Sequence, residues 1–364
     1  MQYTLSRALT GLGLLLALSA QAAEEKKLNV YNWNDYVAKN TIADFEKATG
    51  YKLKYDLYDA NETLQAKLFT GNSGYDVVYP SVEFAGKQIQ AGIYRPLDKS
   101  KLPNLKNIDP LILKAMEKAD PGNQYLIPYM WGTTAVAINT DKVMKALGGK
   151  LPDNTWDLVF NPEVTSKLKD CGISFMDSPS DLVPMALIDL GRDANKYDDE
   201  SVNAAVAMLS KVRKNVRTFN SSPIDQMAKG SLCVAVMFSG DAYQAKKRAE
   251  AAKTGAKVQY LIPKKGTVMW IDTMALPKDG KHPEGANLWL NSMMDPKVIA
   301  QISGETFYLS ANKAALAVTD KALMSDPALN IPDDVKAKLV PKQVIPKEEQ
   351  RRLNLGFNRF KTAK

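Results

Sequence analysis

The chain has 364 residues, a formal net charge of +8 and 45% hydrophobic residues. This length accommodates two domains of ordinary size, and the composition is that of a soluble globular protein, which excludes a fibrous or fully disordered chain. The positive charge would permit binding to nucleic acid or to a membrane surface. The basic residues are scattered in short groups, however, so a solvated surface is favoured and no nucleic-acid partner is expected.

The first 22 residues are predicted to be a cleaved signal peptide. Arg7 supplies the positively charged n-region of a signal peptide, an apolar run follows over 8–18, and Ala20-Gln21-Ala22 has the form of an A-x-A cleavage signal. The apolar run is too short to span a bilayer. No cysteine follows it directly, which argues against a lipid anchor. We therefore expect an exported mature protein that begins near Ala23 and is not inserted in the membrane.

The first hundred residues after this segment alternate between strand and helix patterns. Predicted strands cover 28–31, 52–57 and 74–80, and predicted helices cover 41–49, 61–69 and 83–90. This alternation indicates a parallel sheet with helices on both of its faces.

The stretch 125–139 is long, extended and interrupted by Pro128 and Gly132. It reads as a strand that leaves one sheet and enters another. A second series follows, with strands at 172–176 and 232–237 and helices at 182–190, 201–212 and 242–253, then a helix at 284–293. The segments 258–263 and 307–312 resemble return crossings. Two lobes joined by several crossings imply a cleft between them.

We divide the chain accordingly. The expected parts are the signal peptide at 1–22, an N-terminal lobe made of 23–132 and 256–303, and a C-terminal lobe made of 133–255 and 304–364.

The cysteines and the single histidine bear on covalent and metal chemistry. Cys171 and Cys233 are the only cysteines, and an even pair in an exported protein favours one disulfide over two buried thiols. His282 lies in a polar turn, so neither a metal site nor a catalytic triad built on it is expected.

The loops at the predicted strand ends share one chemistry. Aromatic residues and aspartate recur together in them, and neither arginine nor lysine occurs in any: Trp33-Asn34-Asp35-Tyr36, Ser81, Asp177-Ser178-Pro179-Ser180-Asp181, Phe238-Ser239-Gly240-Asp241, Trp270-Ile271-Asp272 and Phe307-Tyr308. Phosphate, sulfate and carboxylate ligands require arginine or helix N-termini. Aromatic faces with carboxylates suit organic cations instead.

Several alternatives stay open at this point. Aromatic platforms and aspartates also bind sugars, and paired carboxylates occur in glycosidases, although no glutamate in these loops offers itself as the acid. Asp181 and Asp241 could each be a helix N-cap, and Trp33 and Tyr36 could simply fill a core. The binding interpretation gains because the aspartates lie within a few residues of aromatic side chains.

The motifs together resemble the periplasmic polyamine-binding proteins of bacterial ABC importers, the putrescine- and spermidine-binding proteins. The resemblance runs along essentially all of the mature chain and rests on Tyr31-Asn32-Trp33-Asn34-Asp35-Tyr36, Tyr129-Met130-Trp131-Gly132-Thr133-Thr134, Ser239-Gly240-Asp241, Ile262-Pro263-Lys264-Lys265-Gly266, Trp270-Ile271-Asp272 and 307–315. It implies the α/β fold of a two-lobed, type II periplasmic binding protein, each lobe being a mostly parallel sheet flanked by helices. It also implies a monomeric receptor without enzymatic activity, cofactor or metal, which passes its ligand to an inner-membrane ABC permease and could in addition serve signalling.

The resemblance places eleven residues around the ligand: Trp33, Asn34, Asp35, Tyr36, Ser81, Asp181, Phe238, Asp241, Trp270, Asp272 and Tyr308. Asp241 and Asp272 are the first choices for binding ammonium groups, with Asp35 and Asp181 as further candidates. The resemblance also matches Cys171 and Cys233 to a cysteine pair of some family members.

Three positions depart from the putrescine-type pattern. Phe238 stands where a tryptophan is frequent, Asp181 where a longer glutamate is common, and Trp270 where phenylalanine is frequent. The two smaller side chains lengthen the cavity, and up to four carboxylates could neutralise a triamine. We therefore expect spermidine to bind more tightly than putrescine. A putrescine-preferring receptor and an oligosaccharide-binding protein are the alternatives.

Overall fold

The computed structural model describes residues 26–34, 36–58, 61–319, 321, 331 and 333–363. The predicted signal peptide and Asp35 lie outside these ranges. Within them, no helix combines the length and the apolar character needed to cross a bilayer.

The described strands join into a single sheet of eleven strands. In chain order they are β1 (Lys27–Trp33), β2 (Lys52–Tyr58), β3 (Val77–Val78), β4 (Leu126–Asn139), β5 (Ile173–Phe175), β6 (Thr218–Phe219), β7 (Val234–Phe238), β8 (Val258–Leu261), β9 (Val268–Ala275), β10 (Leu309–Ser310) and β11 (Val340–Pro341).

Helices cover both faces of this sheet. They are α1 (Thr41–Thr49), α2 (Asn61–Leu68), α3 (Val82–Gln90), α4 (Pro110–Met116), α5 (Thr140–Leu147), α6 (Asp157–Phe160), α7 (Pro162–Leu168), α8 (Pro179–Asp189), α9 (Asp199–Val212), α10 (Ile224–Ala228), α11 (Ser239–Ala251), α12 (Pro283–Met293), α13 (Pro296–Thr306), α14 (Asp333–Lys336) and α15 (Lys347–Thr362). Short 3-10 helices occupy Lys99–Lys101, Pro103–Asn107, Arg213–Asn215 and Lys313–Ala317.

The long strand β4 connects two lobes, but it does so within one continuous sheet and does not leave one sheet for another as the sequence predicted. Its first part pairs antiparallel with β9, and its second part pairs antiparallel with β7 and β8. The pairing with β9 is irregular between Pro128 and Met130, where proline cannot donate to the ladder. The sheet order is β2-β1-β3-β9-β4-β7-β5-β6, so β4 belongs to both lobes.

Each lobe has its own apolar core. In the N-terminal lobe, β1 pairs parallel with β2 and β3, and buried side chains pack on both faces of the sheet. In the C-terminal lobe, β5 pairs parallel with β6 and β7 under α8, α9 and α15. The fold is therefore the two-lobed α/β fold expected. A disulfide joins Cys171 and Cys233 beside β5 and β7, which confirms that prediction.

Two local predictions are wrong. Trp270, Ile271 and Asp272 do not lie in a loop at a strand end but in the middle of β9, and β1 continues through Trp33. Every residue of β9 is buried. A strand covered on both faces shows no alternation of polar and apolar residues, and this removes the usual sequence signal.

Candidate ligand-binding cavity

A cavity of about 580 Å³ lies between the lobes, within the size range of small-molecule sites. Ten of the eleven residues chosen from the sequence line it: Trp33, Asn34, Tyr36, Ser81, Asp181, Phe238, Asp241, Trp270, Asp272 and Tyr308. Asp35, the eleventh, is outside the described residues. Segments far apart in the chain thus meet at one surface.

Asp272 is the central group of the N-terminal wall, which we define as Tyr36, Ser81, Trp270 and Asp272. Strand β9 carries Asp272, and Ser81 precedes α3 and forms an isolated bridge to it. The Ser81 hydroxyl donates to one carboxylate oxygen at 2.5 Å, and the Tyr36 hydroxyl donates to the other at 2.7 Å. Each oxygen of this buried carboxylate therefore has one fixed donor.

Burial raises the pKa of Asp272 to about 7. The hydrogen bonds from Ser81 and Tyr36 and the charge of Lys342 act in the opposite direction, while the charge of Glu83 adds to the rise. Desolvation penalises the charged form of a carboxyl. A cation placed against Asp272 would offset that penalty.

The C-terminal wall, which we define as Phe238 and Asp241, meets Tyr308 from the core of the N-terminal lobe, and its central group is Asp241. It is the third residue of α11, and the Tyr308 hydroxyl donates to it at 2.5 Å. A helix N-terminus favours a carboxylate electrostatically. Gly240 makes the contact possible, because a Cβ there would lie 2.4 Å from the Tyr308 ring.

The N-cap interpretation of Asp241 and Asp181 is wrong. Phe238 is the N-cap of α11 and Ser178 is the N-cap of α8, so both aspartates lie inside the first turn of their helices. Both aspartates line the cavity, and neither is the N-cap of its helix.

Aromatic rings join the two walls. The Trp270 ring packs edge-to-face between Tyr308, at 5.3 Å between ring centroids, and Phe238, at 5.8 Å. Tyr308 in turn packs on Tyr36 at 5.5 Å. The indole of Trp270 lies across Gly132 of β4, where a Cβ would come within 2.5 Å of it. Such faces attract cations and also cover methylene groups.

The lining contains a basic residue, contrary to the sequence analysis. The Lys342 ammonium lies 3.0 Å from a carboxylate oxygen of Glu83 and 3.3 Å from one of Asp181. We call these three residues the lysine bridge. Burial alone would lower the pKa of Lys342, but the charges of Asp181 and Glu83 and their hydrogen bonds outweigh it and raise that pKa above its ordinary value.

Glu83 and Lys342 are cavity residues that the sequence did not reveal. Glu83 lies two residues after Ser81, so its position at the start of α3 offered a weak signal. Lys342 follows the two-residue strand β11, which carries no periodic pattern. Lys342 and Asp181 are separated by 161 residues in the sequence, so no local sequence pattern indicates that they pair.

Comparison with known proteins agrees with this architecture. The profile described as bacterial extracellular solute-binding protein matches residues 40–331. The putrescine-binding periplasmic protein SpuD of Pseudomonas aeruginosa is 45% identical, over 95% of this chain and 94% of its own length. The putrescine-binding periplasmic protein PotF of Escherichia coli is 43% identical, over 97% and 96%.

Among solved structures, the spermidine/putrescine ABC transporter substrate-binding protein PotD of Streptococcus pneumoniae superposes with a TM-score of 0.80. The two chains are 26% identical, and the match covers 93% of this chain and 99% of the other.

Proposed function

The chain belongs to the bacterial extracellular solute-binding proteins, and from this premise we propose that it is a periplasmic receptor that binds a polyamine, prefers putrescine, and delivers it to an ABC permease. The observation that carries the proposal is the pair of buried carboxylates, Asp272 and Asp241, on opposite walls of one cavity. Aromatic rings span the space between them. Two carboxylates joined by apolar ring faces match a ligand with two ammonium groups joined by methylenes.

The preference for putrescine replaces the sequence-based expectation of spermidine. That expectation counted up to four carboxylates as available for a triamine. Asp181 is already paired with Lys342, and Asp35 lies outside the described residues. The relatives with 45% and 43% identity are also named for putrescine, which favours the alternative that the sequence left open.

Ligand capture follows from the geometry. One ammonium group binds Asp272, beside the hydroxyls of Ser81 and Tyr36, and the other binds Asp241, beside Tyr308. The methylene chain lies against the surface formed by the rings of Trp270, Phe238 and Tyr308, with Trp33 at the side of the cavity. Closure of the lobes excludes water and strengthens both charge contacts. The ligand favours closure because only the closed form offers both walls at once.

The division of the chain between the lobes given above remains part of the proposal, and so does the monomeric state. The chain passes from one lobe to the other near 132, 255 and 303 in that division. These are the segments where hinge rotation is expected.

A ligand panel tests the proposed function. Thermal unfolding and titration calorimetry of the mature protein should be compared for putrescine, spermidine, maltose and glutamate. Putrescine at a hundredfold excess over its Kd should stabilise the fold by about 2.7 kcal/mol, and the sugar and the amino acid should not. A larger effect of maltose would favour the oligosaccharide alternative, and tighter binding of spermidine would restore the original expectation.

A further inference from the structure

The backbone around Lys342 holds its side chain at the edge of the cavity. Strand β11 pairs parallel with β9, with Val340 opposite Val268 and Pro341 opposite Met269. The Lys342 amide continues this ladder by donating to the Met269 carbonyl at 2.9 Å. The residue is therefore fixed beside the strand that carries Trp270 and Asp272.

Its ammonium group contacts one carboxylate from each lobe. Glu83 belongs to α3 of the N-terminal lobe, and Asp181 belongs to α8 of the C-terminal lobe. The exposed fractions of the three side chains are 10% for Lys342, 3% for Glu83 and 6% for Asp181. A buried ammonium is tolerated only when it is paired in this manner.

The two carboxylates are also held by contacts that do not involve the lysine. The Ser178 hydroxyl donates to Asp181 at 2.6 Å, and the Thr134 hydroxyl donates to it at 3.3 Å. Glu83 has one buried carboxylate oxygen without a hydrogen-bond partner among the described residues. Buried acceptors are rarely left unpaired, and Glu83 lines the cavity, so the carboxylate pair has hydrogen-bonding capacity that Lys342 does not use.

A lysine side chain ends in a primary ammonium on a methylene chain, which is the same chemical group as the end of a polyamine. The protein's own side chain therefore fills a place suited to a ligand ammonium. Lys342 already neutralises one of the two carboxylate charges, so a third ammonium that approached Glu83 and Asp181 would be attracted less strongly and would also meet the like charge of Lys342 at close range.

We propose that Lys342 is a specificity-determining residue that occupies a third ammonium subsite, formed by Glu83 and Asp181, and thereby restricts the cavity to diamines. The proposal rests on the proposed function and names the feature that selects among its ligands. An ion pair with a purely structural role would affect stability without changing the choice between diamine and triamine.

The first test removes the side chain. In Lys342→Ala both the charge and the aminoalkyl volume are lost, so the ratio of the putrescine Kd to the spermidine Kd should rise at least about tenfold relative to wild type, as expected for removal of a close like charge. Lys342→Met keeps most of the volume and removes the charge, so its ratio should rise by less. Lys342→Arg should keep the wild-type preference. Lys150→Met, at an exposed position, is the matched control and should change nothing.

The double variant Lys342→Ala/Glu83→Gln tests whether the gain in spermidine binding depends on the carboxylate pair or only on the space that the lysine leaves. Removing one of the two carboxylates should abolish most of the gain in spermidine binding. An equal gain in the double variant would overturn the proposal, because the carboxylate pair would then not be the subsite.

A second test uses the wild-type protein and does not depend on the folding of any variant. N-Propylputrescine is spermidine without the ammonium group at the end of the aminopropyl arm, so it is one heavy atom shorter and carries two ammonium groups. It should bind at least about tenfold more tightly than spermidine if Lys342 repels that ammonium. Equal or weaker binding of N-propylputrescine would overturn the proposal. Absence of any polyamine binding would instead overturn the proposed function itself.

Discussion

Asp272 and Asp241 face the same cavity from opposite lobes, but the chain stabilises them in different ways. Asp272 lies in the middle of a buried strand and depends on two hydroxyl donors, Ser81 and Tyr36. Asp241 lies in the first turn of a helix and receives the Tyr308 hydroxyl. A strand interior supplies no favourable dipole, whereas a helix N-terminus does. Because burial raises the pKa of Asp272, we expect the protonation of this carboxyl of the N-terminal wall to respond to ligand and to pH.

The largest expected effect comes from removing either charge. Asp272→Asn and Asp241→Asn should each weaken putrescine binding by about 2–5 kcal/mol, because an ammonium in a closed cleft loses its charged partner. Titration calorimetry measures the change. Asp153→Asn is the control, since that side chain is 93% exposed. Unchanged affinity in both cavity variants would remove the assignment of the two walls.

The lobes also differ in covalent cross-linking, because the disulfide between Cys171 and Cys233 lies in the C-terminal lobe. Replacing both cysteines by serine should destabilise the protein by about 2–4 kcal/mol, since a loop with a sequence separation of 62 residues is no longer closed in the unfolded chain. Chemical denaturation measures this loss. The mature protein should show no free thiol in an Ellman assay under denaturing conditions, and two titratable thiols would contradict the prediction.

The pH dependence of binding should identify Asp272. Its pKa of about 7 in the ligand-free protein means that the carboxyl keeps its proton below that pH and loses it above. An ammonium stabilises the charged form, so binding should release a proton and weaken about tenfold from pH 8 to pH 6. Calorimetry in buffers of different ionisation enthalpy measures the proton release, which Asp272→Asn should abolish and Asp241→Asn should retain.

The raised pKa of Asp272 affects binding and folding in opposite directions: as the pH rises, binding becomes stronger and the folded state becomes less stable. A carboxyl whose pKa is higher in the folded state than in the unfolded state costs stability as the pH rises from about 4 to about 7. The ligand-free Asp272→Asn protein should therefore have a higher Tm than wild type at pH 8 and a similar Tm at pH 4. A lower Tm at pH 8 would show that the two hydroxyl contacts outweigh the desolvation of the carboxylate.

The smallest expected effect concerns the aromatic rings of the two walls. Trp270→Phe and Phe238→Leu should each weaken putrescine binding by about 1 kcal/mol, because the cation loses part of a ring face. A larger loss for Trp270 would place the ligand nearer the N-terminal wall, and a larger loss for Phe238 would place it nearer the C-terminal wall. Calorimetric titration of the two variants in parallel decides between them.

The sequence by itself determined the features that depend on local pattern. Strand and helix alternation predicted the α/β lobes, and the interrupted segment at 125–139 predicted the strand β4 that connects them. The repeated association of aspartate with aromatic residues pointed to the loops, because residue chemistry is visible without coordinates, and the resemblance to polyamine-binding proteins implied which of their residues lie around the ligand. The cysteine pair was predicted from export and from an even count, and the structure contains its disulfide.

Only the tertiary structure decided how the charges are paired and buried. Lys342 reaches Asp181 across 161 residues of chain, and no periodicity records such an approach. The raised pKa of Asp272 follows from burial between segments that are remote in sequence. Desolvation and charge pairing depend on the distance between groups in space rather than along the chain. For that reason the sequence predicted the aspartates that line the cavity, and only the folded chain revealed which of them is already paired with a lysine.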